Sequence, residues 1–343
     1  MKRSFLLFFL FPFCSFAQKK PLDHTVYDGW QSIGERMISH DGKWVVYTVT
    51  PQEGDASLYI QSTENTANKR QVSRGYNAVI TDDSRFVVFK IKPLFKETRD
   101  ARIKKKKVED LPKDSIGIVE LGKEGLVKLA RIRSYKTPEK ASGWVAYHKE
   151  KDLTGVRSSA LPTQKTVDSL RLKIDSLTQL VVQLKNVKGG NRDGLDADEE
   201  PAAATNGTDG SELVLRNLFT GKEKTFKNVV DYAFSKNGAK LVMRLAKAPR
   251  DSNSKNAVAL YDTRRDAADT ILKGGNDFRG FAFTEDGSKL AFVAERDTNT
   301  KALQKFYGLY LYSNGSDSAE MLLDKTSVGM QVGMTVSENG AIS

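Results

Sequence analysis

Cysteine is nearly absent from this sequence. The one cysteine, Cys14, lies in an apolar N-terminal stretch that we expect to be cleaved off during export. The mature chain is therefore predicted to have no thiol, which excludes a disulfide framework, a cysteine nucleophile and a cysteine-ligated metal site. A chain without these cross-links has to be stabilised by burial of apolar residues, and 343 residues with 39% hydrophobic content are sufficient for a large core.

Long hydrophobic runs are absent as well, apart from a short one near the N-terminus. Phe5–Phe13 follows two basic residues, and Ser15 and Ala17 place small residues at the −3 and −1 positions of a cleavage site. The run is about half of the ~20 residues that a bilayer-spanning helix needs, so we do not expect a membrane span. The pattern predicts a secretory signal peptide over residues 1–17 and an exported mature chain, residues 18–343, in the periplasm or outside the cell.

Residues that carry chemistry are sparse and scattered. The three histidines, His24, His40 and His148, lie too far apart in the sequence to indicate a metal site. The sequence has no G-x-S-x-G nucleophile elbow and no phosphate-binding glycine loop. Its net charge of +11 is spread along the chain, without the interleaved aromatic residues of a nucleic-acid platform. We therefore expect no catalytic residue, no metal or cofactor site and no nucleic-acid partner.

The sequence does contain one motif that is repeated several times. In Phe283–Val293, FTEDGSKLAFV, two short apolar segments flank a polar turn centred on Asp-Gly. Such a turn is the strongest short-range signal for a β-hairpin, because Gly, Asn and Asp accept a positive φ at little cost. The same form recurs, in places weakly, at Ile38–Tyr47, Ile80–Phe89, Ala141–Tyr147, Phe234–Met243 and Val336–Ser343. Copies at a spacing of roughly 40–60 residues are typical of propeller blades.

The segments between these turns alternate apolar and polar residues, as half-buried antiparallel strands do. They predict an all-β fold, a β-propeller of four-stranded antiparallel blades, with about five blades complete. The complete blades are predicted at Gln31–Ser73, Asn77–Ala130, Ile132–Phe226, Val229–Leu272 and Arg279–Leu323. A further strand at Gln331–Ser337 is predicted to begin a sixth blade, so residues 18–343 are expected to form an incomplete propeller.

Two insertions interrupt this rhythm, each between the second and third strands of a blade. Residues 93–114 carry four consecutive lysines followed by acidic residues, and we expect a solvated basic loop. Residues 149–211 combine a helix with a disordered tether, Gly189–Gly210. The helix has apolar residues at alternating spacings of three and four, which predicts a coiled-coil-like seam with a partner helix or the body of the protein. The seam residues are Val167, Leu170, Ile174, Leu177, Val181 and Leu184.

The repeated turn, read as D-G-K/S-x-aliphatic-aromatic, resembles the propeller repeats of prolyl oligopeptidase-type (S9) serine peptidases and of TolB-like propellers. The segments Lys104–Leu121 and Arg133–Tyr147 are similar to those of the secreted bacterial S9 peptidases in particular. In that family the propeller precedes a C-terminal α/β-hydrolase domain that carries a Ser-Asp-His triad.

The resemblance implies that this chain is the non-catalytic N-terminal propeller portion of such a peptidase, gating its peptide substrate, with the hydrolase domain missing from the sequence. The sequence leaves one alternative open. The chain would then be a complete, stand-alone periplasmic or surface propeller that acts as a protein interaction module.

Overall fold

The structure is a computed structural model that describes residues 27, 29–150, 210–248, 251, 253–297, 303–340 and 342. The predicted signal peptide, the seam helix and most of the predicted tether lie outside the described residues. The described part of the chain is mostly β, with nineteen strands, one α-helix and one short 3-10 helix. Neither of these two helices is long and apolar enough to cross a membrane.

All strands pair antiparallel, and strands adjacent in sequence are adjacent in their sheet. The first sheet has the order β1 (Gln31–Ile38), β2 (Trp44–Pro51), β3 (Ser57–Ser62), β4 (Lys69–Ser73). The second sheet has the order β5 (Gly75–Ile80), β6 (Phe86–Ile91), β7 (Ser115–Glu120), β8 (Val127–Ala130). The last sheet has the order β16 (Asp277–Phe283), β17 (Lys289–Glu295), β18 (Tyr307–Ser313), β19 (Glu320–Leu323). The predicted all-β class with four-stranded antiparallel sheets is thus confirmed.

Between the second and last sheets lies a seven-stranded sheet. Its strands, in order, are β9 (Ile132–Lys136), β10 (Trp144–Lys149), β11 (Ser211–Asn217), β12 (Glu223–Phe234), β13 (Lys240–Leu245), β14 (Ala257–Asp262) and β15 (Ala267–Lys273). The first half of β12 pairs with β11 and its second half with β13, so one long strand belongs to two four-stranded units. The sequence predicted two separate strands here, and that prediction was wrong. Asn228, at φ 58°, changes the register without ending the strand.

The other unit boundaries also pass through left-handed residues. Arg74 (φ 65°) separates β4 from β5, Arg131 (φ 60°) separates β8 from β9, and Gly274 (φ 84°) follows β15. Positive φ is uncommon for arginine, so its recurrence at equivalent positions reflects a requirement of the connection. The carbonyl groups of Arg74, Arg131 and Asn228 each accept a backbone N–H from the residue after the second strand of the next unit, at 2.8–2.9 Å.

Consecutive units pack face to face through four apolar clusters. The strand β6 contributes to two of them, because Val87 and Phe89 face the first sheet while Phe86 and Val88 face the seven-stranded sheet. This explains why β6 is an almost unbroken apolar run rather than an alternating one. The other two clusters join the halves of the seven-stranded sheet and its second half to the last sheet. Among the described residues, no such cluster joins the last sheet to the first.

The hairpin between the first and second strands repeats one hydrogen-bond pattern in four units. A hydroxyl donates to the side-chain oxygen two residues later, at 2.5–2.8 Å, and accepts the backbone N–H five residues later, at 2.9–3.0 Å. The hydroxyls belong to Ser39, Thr81, Ser235 and Thr284. The Thr284 hydroxyl and the Ser288 backbone N–H lower the pKa of Asp286 to about 2. The repeated unit is therefore a Ser/Thr-x-Asp/Asn motif, of which the Asp-Gly pair is only the second half.

Residues 93–114 differ from the predicted loop. They contain α1 (Phe95–Ile103) and a short 3-10 helix (Val108–Asp110). The sequence did not predict α1. Only one of its residues, Ala101, is buried, so the helix lacks the stripe of apolar residues that would indicate a core-facing side. The N-terminus of α1 is instead capped by Asp55, which lies in the connection between β2 and β3.

Residues 331–337 form no strand, contrary to the prediction. A strand requires a partner strand, and no described strand pairs with residues 331–337; the Thr335 hydroxyl instead accepts the Tyr307 N–H at 2.7 Å. The chain also turns at Gly333, where φ is 81°.

The hydroxyl of the turn motif should be worth a measurable share of stability. Thr81 is buried, so Thr81→Ala leaves the Phe86 N–H and the Asp83 carboxylate without their shared partner. We expect a loss of about 1–2 kcal/mol in the free energy of unfolding, measured by urea denaturation. Thr81→Ser keeps the hydroxyl and should lose much less. Equal stability of Thr81→Ala and the wild type would contradict the role assigned to the motif.

Candidate functional site: a cleft between the first and second sheets

The two ends of the strands carry different kinds of connection. In an antiparallel meander successive connections alternate between the two ends, so those joining second to third strands share an end with the unit boundaries. The long connections, residues 92–114, 150–210, 246–256 and 296–306, all join second to third strands. We call this end the insertion face and the opposite end, which carries the hairpins, the turn face. Function usually resides in long connections held by a rigid scaffold.

The turn face is tied together by contacts between neighbouring hairpins. The Asn237 side-chain amide donates to the Asp286 carbonyl at 2.6 Å, and the Asp41 N–H donates to the Ser84 hydroxyl at 3.2 Å. Lys140 reaches past its neighbour to Glu285, and the hydrogen bond with Glu285 raises the pKa of Lys140. These contacts connect the hairpins of different units along the turn face.

The insertion face opens into a cleft of about 1230 Å³ between the first and second sheets. One wall is Pro51 at the end of β2 with the β2–β3 connection, residues 52–56, and the other is α1 with the residues that follow it. The unit boundary at Arg74 and the side chain of Glu35 on β1 complete the lining.

One side of α1 faces the cleft. Phe95, Thr98, Arg99, Arg102 and Ile103 line it, with the i, i+3, i+4, i+7 and i+8 spacing of a single helix face. These positions combine two cations with two large apolar side chains. A ligand in the cleft would therefore meet both kinds of group on the same wall.

A clamp from the opposite wall holds α1 in place. The α1 N-cap residue, Leu94, provides no side-chain hydrogen bond, and the Asp55 carboxylate instead accepts the Phe95 N–H at 2.9 Å. Beside it, Arg99 forms an ion pair with Glu53 at 3.0 Å. The carboxylate also complements the positive end of the helix dipole. The helix is thus fixed to a loop about forty residues earlier in the chain, which sequence pattern alone does not reveal.

The carboxylates that line the cleft are all engaged. Glu53 and Asp55 hold α1, and Glu35 accepts the Ala78 N–H at 3.3 Å. Asp114 forms an ion pair with Lys90 at 3.1 Å and accepts a hydrogen bond from the Tyr76 hydroxyl. The acidic side of the cleft therefore has its partners within the protein.

Several cations that line the cleft are not matched in this way. Arg74, Lys92, Arg102 and Lys113 form no ion pair with any described residue. Lys92 lies over the Tyr76 ring at 4.9 Å, and Lys113 donates to the Val108 carbonyl at 2.8 Å, neither of which neutralises the charge. The cleft is therefore suited to hold an anionic group. In the described ranges no group of three or more His, Cys, Asp or Glu residues is placed to hold a metal ion.

Neither of the two described histidines lines this cleft. His24 lies outside the described residues, and His40 lies on the turn face, 3.2 Å from Asp82. His148 is buried in β10, where its Nε2 lies 2.8 Å from the Val229 carbonyl oxygen and its ring packs edge-on against Tyr232. Burial lowers the pKa of His148. Its role is to connect β10 to β12.

No family model matches this chain, and no curated protein matches it. Solved structures similar to it include the β-propeller domain of the Trilobed protease from Pyrococcus furiosus, at 12% identity and a TM-score of 0.40, over 88% of this chain and 73% of that one. The acylaminoacyl peptidase of Pyrococcus horikoshii matches at 11% identity and a TM-score of 0.39, over 87% of this chain and 40% of that one. TolB from Acinetobacter baumannii matches at 12% identity and a TM-score of 0.31, over 84% of this chain and 53% of that one. The chain thus spans less than half the length of the acylaminoacyl peptidase.

The clamp on α1 can be tested by limited proteolysis. Asp55→Ala removes the acceptor of the Phe95 N–H and should destabilise the first turn of α1 by about 1 kcal/mol. We expect faster tryptic cleavage at Lys104–Lys107, just after the helix, with little change in the overall melting temperature. Asp55→Asn retains an acceptor oxygen and should be cleaved at nearly the wild-type rate. Unchanged cleavage of Asp55→Ala would show that the clamp does not hold the helix.

The burial of His148 predicts a pH dependence of stability. Its folded-state pKa lies below the ordinary histidine value of 6.5, so below about pH 6.5 the unfolded chain binds a proton that the folded chain does not. The free energy of unfolding should therefore fall as the pH drops from about 7.5 to about 5.5, by up to about 1.4 kcal/mol per unit from this group. His148→Gln can still donate to the Val229 carbonyl and should show a flatter profile. Identical slopes for both proteins would exclude His148 as the cause.

Proposed function

We propose that this chain is the β-propeller portion of an exported serine peptidase of the S9 type, and that it controls the access of peptides to a hydrolase domain outside this sequence. The observation that carries the proposal is the division of the connections between two faces. Contacting hairpins make up one face, and the long connections with the charged cleft make up the other. The resemblance of the repeated turn to S9 propellers supports the same assignment.

In our proposal the four sheets correspond to five propeller blades, with β12 counted in both halves of the seven-stranded sheet. Each blade then packs against the next, as in an arc of a ring. The outward face of the first blade carries Val45, Tyr47, Val49 and Tyr59, all half-buried, with the two tyrosine rings stacked 5.3 Å apart. An apolar face of this kind normally packs against another sheet. In our proposal further strands of the same protein cover it and close the ring.

A closed ring of this kind would restrict which substrates reach a hydrolase. A folded protein is too wide to pass between packed blades, whereas an extended peptide can approach along the insertion face. The cleft lies on that face, so a peptide would contact it before reaching any catalytic group. The expected substrates are therefore short or unfolded peptides, and the predicted signal peptide supports a reaction outside the cytoplasm.

A stand-alone interaction module is the second candidate function. The observation that favours it is the cleft itself, whose cations are available to a partner without any chemistry being needed. The two candidates differ in whether the native protein carries a reactive serine.

Labelling with a serine-directed fluorophosphonate probe tests the proposal. The native protein, isolated from its source with an antibody against this chain, should be labelled, should be larger than 343 residues and should begin at Gln18. The 343-residue chain produced alone should not be labelled, because the triad of the family belongs to the hydrolase domain. Denatured native protein is the control for nonspecific reaction, since it retains the serine but not the triad geometry.

Two outcomes would contradict parts of this proposal. A native protein no longer than 343 residues that never reacts with the probe would favour the interaction module. A native protein that begins at Met1, or that carries acylated Cys14, would contradict the assigned signal peptide.

A further inference from the structure

We propose that the cleft between the first and second sheets binds an acidic peptide segment, with the carboxylates of the peptide held by Arg74 and Arg102. The proposal does not depend on an attached hydrolase domain. It concerns a binding site within the described residues, and it applies to a gating propeller and to an interaction module alike.

The first argument is the charge balance of the cleft. Its carboxylates are each paired with a cation or a backbone N–H, whereas Arg74, Lys92, Arg102 and Lys113 form no ion pair with a described residue. By the same measure two of the lining acids, Glu35 and Asp55, form no ion pair and accept only a backbone N–H, so four unpaired cations face two unpaired acids and the excess favours a peptide carboxylate. Arginine suits this role because its planar guanidinium can hold a carboxylate through two parallel hydrogen bonds.

The second argument is the apolar content of the same walls. Phe95, Ile103 and Val108 line the cleft with 40%, 69% and 75% of their surfaces exposed, and Leu111 and Pro112 lie beside them. Large exposed apolar side chains grouped in a concave site indicate binding of a partner with apolar groups. A peptide that carries both acidic and aliphatic residues matches these walls. A phosphate-rich polyanion has nothing to place on Ile103 and Val108.

The third argument is size and rigidity. A volume of about 1230 Å³ exceeds the roughly 300–1000 Å³ of pockets that hold drug-sized molecules, so the cleft can take several residues of an extended chain. The clamp from Asp55 and Glu53 fixes α1 relative to the first sheet. Lys90, Asp114 and Tyr76 fix the opposite side. Binding therefore requires little ordering of the protein, which favours affinity.

Fluorescence anisotropy with a labelled peptide rich in Glu and Leu tests this proposal on the full chain. Arg74→Gln and Arg102→Gln should each weaken binding about tenfold, because each removes a charge-assisted contact to a carboxylate. Lys96→Gln is the matched control: it lies on α1, is exposed, does not line the cleft and removes the same charge as Arg102→Gln. It should change affinity by less than about twofold. The same peptide with Gln in place of Glu should bind far more weakly.

Three results would overturn the proposal. One is the absence of binding by the Glu-Leu peptide at low salt. Another is an equal effect of Lys96→Gln and Arg102→Gln, which would mean that net charge alone attracts the peptide. The third is binding of heparin that is tighter than peptide binding and equally sensitive to both arginine variants, which would assign the cleft to a polyanion. Circular dichroism of Arg74→Gln checks its fold, and Arg102, on an exposed helix face, provides the decisive variant if that fold is lost. None of these results affects the serine-labelling test.

Discussion

The structure depends on mutual burial between consecutive sheets. A four-stranded sheet with two apolar faces cannot cover either of them by itself, and small isolated sheets are marginal in water. Here Val87 and Phe89 of β6 are covered by the first sheet, and Phe86 and Val88 by the seven-stranded sheet. Each unit is therefore stable only between its neighbours. This requirement fixes the serial order of the sheets and leaves the ends of the strands free to differ.

That freedom accounts for the contrast between the two faces. On the turn face the hairpins are short, and in four of them a Ser or Thr hydroxyl bonds both a side chain and a backbone N–H of the turn. On the insertion face the connections are long, and one of them contains α1. The N-terminus of α1 is capped by Asp55 of the neighbouring unit. This cap connects α1 to the neighbouring unit, and the helix forms one wall of the cleft between the two. The cations accumulate where the chain leaves the regular sheet.

The sheets were predictable from the sequence because period-two alternation and Asp-Gly turns are local signals. The predicted beginnings of the first and third units at Gln31 and Ile132, and the predicted ends of the second and last at Ala130 and Leu323, are strand limits in the structure. The cap of α1 and the cleft were not predictable, because they depend on a contact between Asp55 and Phe95 that no local pattern encodes. The hydroxyl of the turn motif was predictable but missed, since Ser or Thr precedes each Asp or Asn by two positions in all four complete copies. The fusion of two strands into β12 depends on Asn228 tolerating a left-handed φ, which a sequence permits without requiring.

Because β12 is one continuous strand, the units of the molecule are not all connected in the same way. At Arg74, Arg131 and Gly274 the chain crosses between units through residues outside any strand, so rotation there strains a few connecting backbone hydrogen bonds rather than a strand ladder. Across β12 the same rotation would have to break pairing with β11 on one side and with β13 on the other. We therefore expect these two units to move as one block. The boundary at Arg74, which lines the cleft, is also spanned by the contacts of Asp55 and Glu53 with α1, so we expect any breathing of the assembly to be concentrated at Arg131 and Gly274.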